Sequence, residues 1–449
     1  MKQLLYIAFA AACFSMAGCS NDEPSMPVTT ENDFESADGQ LVIQLGALNV
    51  PQAAITRSPI DGDDISKLTE LGIFAVGRGV SLNKNDLTNW YDDNNSVRNI
   101  LLGNAKATGT NLNAYDNTVH TGLKRISFYV KGNGADDWTG TTGAVYYYPM
   151  KIVNNYDFYG YYPRQATNNI TVTSNAINVP FTITGDEDII YGKAPQAPHK
   201  DANTLYTDEE GKMVHDAIDG YNARYIRMLK YHNWLIETKG LDGTKEKYVP
   251  NIKFNHLLTR LNFQVITAKE QSGEVSPVPG TEGVEPAGPA NDRAEAKNLR
   301  VTDIKIKNVL TTPTLNVLTG DLTWAGASRD LPMISENTEN PSVWKESKIV
   351  PQEYQDGEIT YPNAGHLMVQ PGLDSYKITL KVHAPSTTGG IPTVQDVELT
   401  LDNADHNKFK AGYAYNIRIA LYAMQQVFAS AELTEWATDA NSNVYLPVE

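Results

Sequence analysis

The chain has 449 residues and carries 53 acidic against 37 basic side chains, which gives a formal net charge of −16. This balance disfavours nucleic acid and anionic membrane surfaces as partners. The length is ample for two domains with separate hydrophobic cores. Both cysteines, Cys13 and Cys19, lie near the N-terminus, so no disulfide is expected in the remainder of the chain.

Residues 1–18 are predicted to form a lipoprotein signal peptide. Lys2 precedes an apolar run from Leu4 to Gly18, which is shorter than the roughly 20 residues that cross a bilayer and has small residues at its end, as a signal peptide does. Residues 16–19, Met-Ala-Gly-Cys, resemble a bacterial lipobox, in which the cysteine receives a diacylglycerol and becomes the new N-terminus. Cys19 is the predicted lipidation site. An ordinary secretory signal peptide is the alternative.

Residues 19–57 are predicted to form a lipidated propeptide. The chain is polar and acidic from residue 20 to about residue 40, as in a flexible tether. Leu41, Ile43 and Leu45 then recur at a period of two, which predicts a strand with one buried face. Arg57 and Ser58 follow in a stretch of small residues, where a cut after Arg57 would release that strand. An ordinary solvated arginine is the alternative interpretation.

The rest of the chain contains two series of segments rich in β-branched and aromatic residues, which predict strands. The first series comprises residues 71–76, 125–130, 144–148, 156–162 and 178–183, and the second comprises 252–256, 261–266, 300–306, 376–382, 397–401 and 413–421. They predict an all-β protein with two antiparallel β-sandwich domains in tandem, over 58–205 and 206–449. Residues 221–235 follow helical spacing too poorly to be assigned.

No catalytic residue, cofactor or metal site is predicted. The eight histidines include no pair at helical ligand spacing, and neither a phosphate loop nor a nucleophile elbow occurs. His256, in an alternating apolar stretch, is predicted to be a hydrogen-bonded core residue. Neighbouring acidic residues at 186–188 would point to opposite faces of a strand, which disfavours a catalytic pair. The acidic turn at 61–64 favours a solvated turn over a calcium site, and the tyrosines between 146 and 162 favour packing over sugar binding.

Short characteristic sequences occur in order along nearly the whole chain. They are the lipobox at Cys19, Arg57-Ser58, Tyr-Tyr-Pro at 147–149, Phe-Tyr-Gly-Tyr-Tyr-Pro at 158–163, Asp-Ile-Ile-Tyr-Gly at 188–192, Phe-Asn-His-Leu-Leu-Thr-Arg-Leu-Asn-Phe at 254–263 and Phe-Lys-Ala-Gly-Tyr-Ala-Tyr-Asn-Ile-Arg-Ile at 409–419. Together they resemble the fimbrillins of Bacteroidetes, which build type V pili.

The resemblance implies two transthyretin-like β-sandwich domains and a structural, non-enzymatic role as a pilus subunit, shaft or tip. It implies a surface-exposed outer membrane lipoprotein that an Arg-specific protease cuts and that then joins other pilus subunits, of its own or a related kind, by strand exchange to mediate adhesion. Asp22 and Glu23 resemble the signal that directs such lipoproteins to the outer face of the cell. The alternative is an uncleaved surface lipoprotein that anchors a pilus or binds a glycan. A ligand on a host or bacterial surface stays open.

Loss of the first strand would leave a groove with unpaired backbone groups and an apolar floor. At about 25 cal/mol per Å² of buried apolar area, three large side chains contribute several kcal/mol, and open strand edges accept an extended segment from another chain. The predicted donor is the C-terminal region, where four apolar residues alternate with others: Val427, Ala429, Ala431 and Leu433. A strand that completes its own domain is the alternative.

Overall fold

A computed structural model describes residues 40–47, 65–92, 96–113, 118–134, 136–150, 154–194, 220–267, 269–270, 287–288, 297–335, 349–353, 361–384, 393–403, 408–423 and 426–434. For 426–434, Val427 apart, it describes the backbone only. The signal peptide, Cys19, the predicted cut at Arg57 and Ser58, and the acidic turn at 61–64 lie outside these ranges.

Strands dominate the described residues, which confirms the all-β class. Strands β1 to β23 span, in order, Leu45–Ala47, Leu71–Gly77, Ile100–Asn113, Lys124–Lys131, Trp138–Ala144, Tyr156–Tyr162, Thr171–Thr173, Ala176–Pro180, Ile190–Lys193, Asn251–His256, Thr259–Thr267, Lys269–Glu270, Ala287–Gly288, Arg300–Val309, Thr312–Asn316, Leu322–Ala325, Arg329–Pro332, Ile334–Ser335, Gly365–Val369, Ser375–His383, Val394–Asp402, Ala414–Ala423 and Gln426–Thr434. Helices α1 and α2 span Lys84–Thr88 and Ala223–Lys239.

The first sheet closes on itself through its shortest strand. Its order is β1-β10-β9-β6-β2-β3-β4-β5, and β1 also pairs with β4. Strand β1 therefore has a hydrogen-bonded neighbour on each edge, parallel β10 and antiparallel β4. Because of this double pairing, the strands form a closed circuit with β5 outside it, rather than the two separate sheets of the predicted first sandwich.

Helix α2 fills the segment that sequence periodicity left unassigned. The Asn222 side chain caps its start by accepting a hydrogen bond from the Tyr225 N–H (2.8 Å), and Gly240 ends it in the left-handed conformation. Its buried face includes His232 and Asn233, and these polar residues obscure the apolar period. Within the described ranges, no helix combines the length and apolarity needed to cross a membrane.

The first hydrophobic core extends well beyond the predicted domain boundary at 205/206. Helix α2 and strand β10 contribute to this core, and residues from the later part of the chain also belong to it: Leu258, Leu315, Val317, Met368 and Ala414. The later hairpin of β15 and β16 also joins the earlier strands β8 and β7 in a four-stranded sheet. Helix α2 and β10 thus pack with the first core, and the division into domains at 205/206 stays a prediction.

The second core lies between two further sheets. One has the order β18-β19-β11-β22-β23 and the other the order β17-β14-β20-β21. Apolar side chains from both form one buried cluster, for example Phe263 and Ile417 from the first and Ile306 and Ile378 from the second. This arrangement of two sheets around one core agrees with the predicted C-terminal sandwich.

Candidate strand-exchange groove

Residues 40–47, which include the predicted released strand, are bonded to three separate stretches of the chain. Residues 45–47 run antiparallel to 124–126 of β4, while 46–47 run parallel to 251–252 of β10. Upstream, residue 42 bridges residue 147. Removal of the segment would therefore leave unpaired backbone groups on all three stretches.

The hydrogen bonds that hold this segment have ordinary lengths. The Ile43 N–H donates to the Tyr146 carbonyl oxygen (2.7 Å), and the Leu41 carbonyl oxygen accepts from the Tyr148 N–H (2.9 Å). On the β10 side, the Gly46 N–H donates to the Pro250 carbonyl oxygen (3.1 Å). A replacement strand would have to supply the same donors and acceptors to restore the sheet.

One face of the segment is fully buried in the first core. Leu41, Ile43 and Leu45 are 1%, 3% and 0% exposed, and Ala47 continues the same face at 0%. Each of the three large side chains contributes about 1.5–3 kcal/mol through burial. The structure thus places the three residues on one inward face, and their release stays a prediction.

The opposite face of the segment is also covered, which sequence reasoning did not anticipate. Gln44 is 3% exposed, and neither polar atom of its side-chain amide has a hydrogen-bond partner among the described residues. Gly46 lies against Leu123, so that a Cβ added to the glycine would stand 2.5 Å from Leu123 Cγ. A glycine inside a strand is the sequence signal for such a close approach.

Aromatic side chains flank the stretch that pairs with Leu41 and Ile43. The ring of Tyr146 packs edge-on against Phe128 (5.1 Å between centroids), and Tyr148 packs edge-on against Phe158 (6.2 Å). Burial raises the pKa of Tyr146 to about 12 and that of Tyr148 well above its ordinary value. Core packing was the predicted use of the tyrosine cluster, and it is confirmed for four tyrosines that are buried in the first core: Tyr148, Tyr156, Tyr159 and Tyr161.

His256 is a hydrogen-bonded core residue, as predicted. Its Nδ1 lies 2.6 Å from Asp188 Oδ2, and both side chains are 1% exposed. The two neighbouring acidic residues point elsewhere. Asp186 approaches His366 (3.3 Å), and Glu187 accepts hydrogen bonds from Thr184. No three His, Cys, Asp or Glu side chains in the described part of the chain come together to hold a metal ion.

The predicted donor residues lie in strand β23, at the edge of the second sandwich. Their backbone pairs antiparallel with β22 in the register Val427 to Leu421, Ala429 to Ile419, Ala431 to Ile417 and Leu433 to Tyr415. The segment thus completes its own sheet, which is the alternative use. Donation requires that β23 separates from β22 or that residues beyond Thr434, which lie outside the described ranges, are donated instead.

No family model and no curated protein matches the chain. Similar solved structures include a candidate cell adhesion protein from Bacteroides uniformis, with 17% identity over 90% of this chain and 100% of that chain and a TM-score of 0.40. A second, from Bacteroides ovatus, has 12% identity over 89% and 99% and a TM-score of 0.38. A fimbrilin from Porphyromonas gingivalis has 8% identity over 88% and 98% and a TM-score of 0.29. At TM-scores this low, the likeness carries no functional conclusion for this chain.

Proposed function

We propose that the chain is a pilus subunit of the fimbrillin type, shaft or tip, that mediates adhesion. In this proposal it reaches the outer membrane as a lipoprotein acylated on Cys19 and is cut after Arg57. It then joins other pilus subunits by strand exchange. The proposal rests on the sequence resemblance and on the position of residues 40–47 in the first sheet.

The carrying observation is that β1 closes the first sheet from a segment with a single covalent link to it. Residue 47 reaches the next described residue, Ile65, only through the stretch that contains Arg57. After a cut there, hydrogen bonds and apolar contacts alone would hold residues 40–47 in place. The released piece would leave with the lipid, while the remaining strands kept an apolar groove with unpaired edges.

A second function is favoured by the pairing of β23 within its own sheet. A protein that keeps residues 40–47 in place and β23 on β22 has both ends occupied, as an uncleaved anchor lipoprotein would. Such a protein would retain its lipid and cap a pilus at the cell surface. The state of Arg57 distinguishes the two functions.

Digestion of the purified full-length precursor with an Arg-specific protease tests the proposal. We expect a cut after Arg57, after which the protein takes up a strand from outside and forms complexes that resist detergent and dissociate on heating. The uptake is followed with a fluorescent peptide of residues 40–48, and oligomers of the cut protein would instead show uptake of a strand from a second copy. Arg57→Gln should abolish both cleavage and uptake, whereas Arg224→Gln, at an exposed helical arginine, should leave both unchanged. A cut protein that neither binds the peptide nor forms oligomers would contradict strand exchange.

A further inference from the structure

We infer that positions 44 and 46 of the segment 40–47 select the strand that replaces it, and that this strand belongs to a different protein rather than to a second copy of this chain. The inference rests on the strand exchange proposed above and specifies the sequence that the groove accepts. That sequence has large apolar residues at positions 41, 43 and 45, an apolar residue at position 44 and glycine at position 46.

Position 46 accepts only glycine while Leu123 keeps its place. A Cβ at this position would stand 2.5 Å from Leu123 Cγ and 3.1 Å from Cδ1. The Leu123 side chain is 3% exposed and belongs to the first core, so it has no open space on the solvent side. The residue at 46 must also keep its N–H, because this group donates to the Pro250 carbonyl oxygen. Any other residue therefore forces a buried side chain to move.

Position 44 makes the resident strand weaker than an ideal occupant. The amide of Gln44 is buried without a hydrogen-bond partner among the described residues. A buried polar group in this state costs about 1–3 kcal/mol. An incoming strand with an apolar side chain of similar size would avoid that penalty and bind more tightly than the strand it replaces. The resident strand is in this way suited to removal.

Strand β23 of a second copy does not fit these requirements. The register that fills all four inward positions with Val427, Ala429, Ala431 and Leu433 puts Glu432 at position 46. The two neighbouring registers put Ser430 or Thr434 there. In all three registers, a Cβ at position 46 meets Leu123. In the register that places Ala429 and Ala431 at positions 43 and 45, these alanines also replace the larger Ile43 and Leu45 and leave cavities.

Residues 441–449 of a second copy fit no better. Val444, Leu446 and Val448 alternate there and match the inward residues in size. The register that fills positions 41, 43 and 45 puts Glu449 at position 46, and the next register puts Pro447 there, which has no N–H to donate. Neither residues 426–434 nor residues 441–449 contain a glycine, so insertion of either segment in the opposite direction meets the same obstacle.

Peptide exchange into the full chain tests the inference. A specific protease site placed at residues 57–58 allows the strand to be released whether or not Arg57 is a natural cut. The cut protein is then offered labelled peptides in excess: residues 40–48, the same peptide with Gly46→Ala or with Gln44→Leu, residues 426–434 and residues 441–449. The dissociation constant of each peptide is measured by fluorescence anisotropy.

We expect the Gly46→Ala peptide and both C-terminal peptides to bind at least about tenfold more weakly than residues 40–48. We expect the Gln44→Leu peptide to bind about tenfold more tightly. In the Leu123→Ala protein, the native and Gly46→Ala peptides should bind within about threefold of each other.

Three results would overturn the inference while leaving strand exchange intact. They are equal binding of a C-terminal peptide and residues 40–48, oligomers formed by the cut protein alone, and discrimination against Gly46→Ala that persists in Leu123→Ala. The comparison of peptides on the unchanged Leu123 protein does not depend on the folding of the variant. Failure of every peptide to bind would instead refute strand exchange and the inference with it.

Discussion

Replacement of Leu45 by alanine is expected to lower the free energy of unfolding of the first sheet by about 3 kcal/mol. The side chain is 0% exposed and lies in the first core, on the strand that links β4 to β10. Truncation removes three buried carbon atoms and leaves a cavity between strands that are fixed by hydrogen bonds on both edges. Urea denaturation followed by tryptophan fluorescence measures the loss, since Trp90 is buried in the same core.

Val42→Ala is the matched control for Leu45→Ala. Val42 lies on the same segment but on its opposite face, where it is half-buried and bridges Tyr147 through its backbone. We expect a loss of less than about 1 kcal/mol. Amide hydrogen exchange should show the same contrast locally, with faster exchange across 40–47 and 124–131 in Leu45→Ala only. Equal effects of the two variants would contradict the view that the inward face holds the segment in place.

Replacement of Asp188 by alanine is expected to destabilise the protein by about 3 kcal/mol. The carboxylate bonds the His256 ring over 2.6 Å, and both groups are shielded from water. Without its partner, the Nδ1 of His256 stays buried with an unmet hydrogen bond. His256 ends strand β10 five residues before Leu261, the first residue of the second core, so we expect the loss to affect both sheets. Thermal unfolding monitored by circular dichroism measures it.

Asp186→Ala provides a control of the same chemistry at a more exposed site. Asp186 approaches His366 at 3.3 Å, but its side chain is 45% exposed to solvent. In the native protein, water screens this contact. In the variant, water takes the place of the carboxylate beside His366, so we expect the free energy of unfolding to fall by less than about 1 kcal/mol. A loss in Asp188→Ala no larger than in Asp186→Ala would show that burial of the Asp188 and His256 pair contributes little to stability.

The alternation of apolar residues predicted strands correctly where the strand's own large side chains fill the core. The aromatic run 156–162 coincides with β6, and each alternating segment of the second series overlaps a strand of the second sandwich or β10. Strand β3, Ile100–Asn113, was missed because its interior is built from small and polar residues. Gly103 lies against Trp90 and Gly109 against Ile65, so side chains from elsewhere fill the space that large residues would occupy.

The pairing of β1 with β10 could not be predicted from the sequence, because sheet pairing is not local along the chain. Strand β10 lies far along the chain from β1, yet the two pair, and no property of either segment alone indicates the other. The stretch before residue 220 is polar and suggested a linker, but the chain after it returns to the first sheet. Helix α2 was hidden for a local reason, since Asn233 exchanges two hydrogen bonds with the Glu246 backbone on its buried side.

Of the two faces of residues 40–47 in the candidate groove, the sequence predicts the inward one. The inward face of residues 40–47 follows from the period of two in Leu41, Ile43 and Leu45, and the structure buries all three. For the outer face, Gly46 signals a close approach, but nothing near it indicates that Leu123, from a distant loop, makes the contact. For strand β23, the sequence pattern is clear but its role is not. Its alternation fits a donor and an edge strand equally well, and only the pairing with β22 distinguishes them.

The mass of the N-terminal peptide of the protein taken from intact cells tests the central claim most directly. If β1 is released by cleavage and replaced by a strand from a neighbouring molecule, the assembled protein begins at Ser58, carries no lipid and lacks residues 40–47. A protein that still begins at an acylated Cys19, with residues 40–47 protected from hydrogen exchange, would contradict strand exchange and support the anchor function.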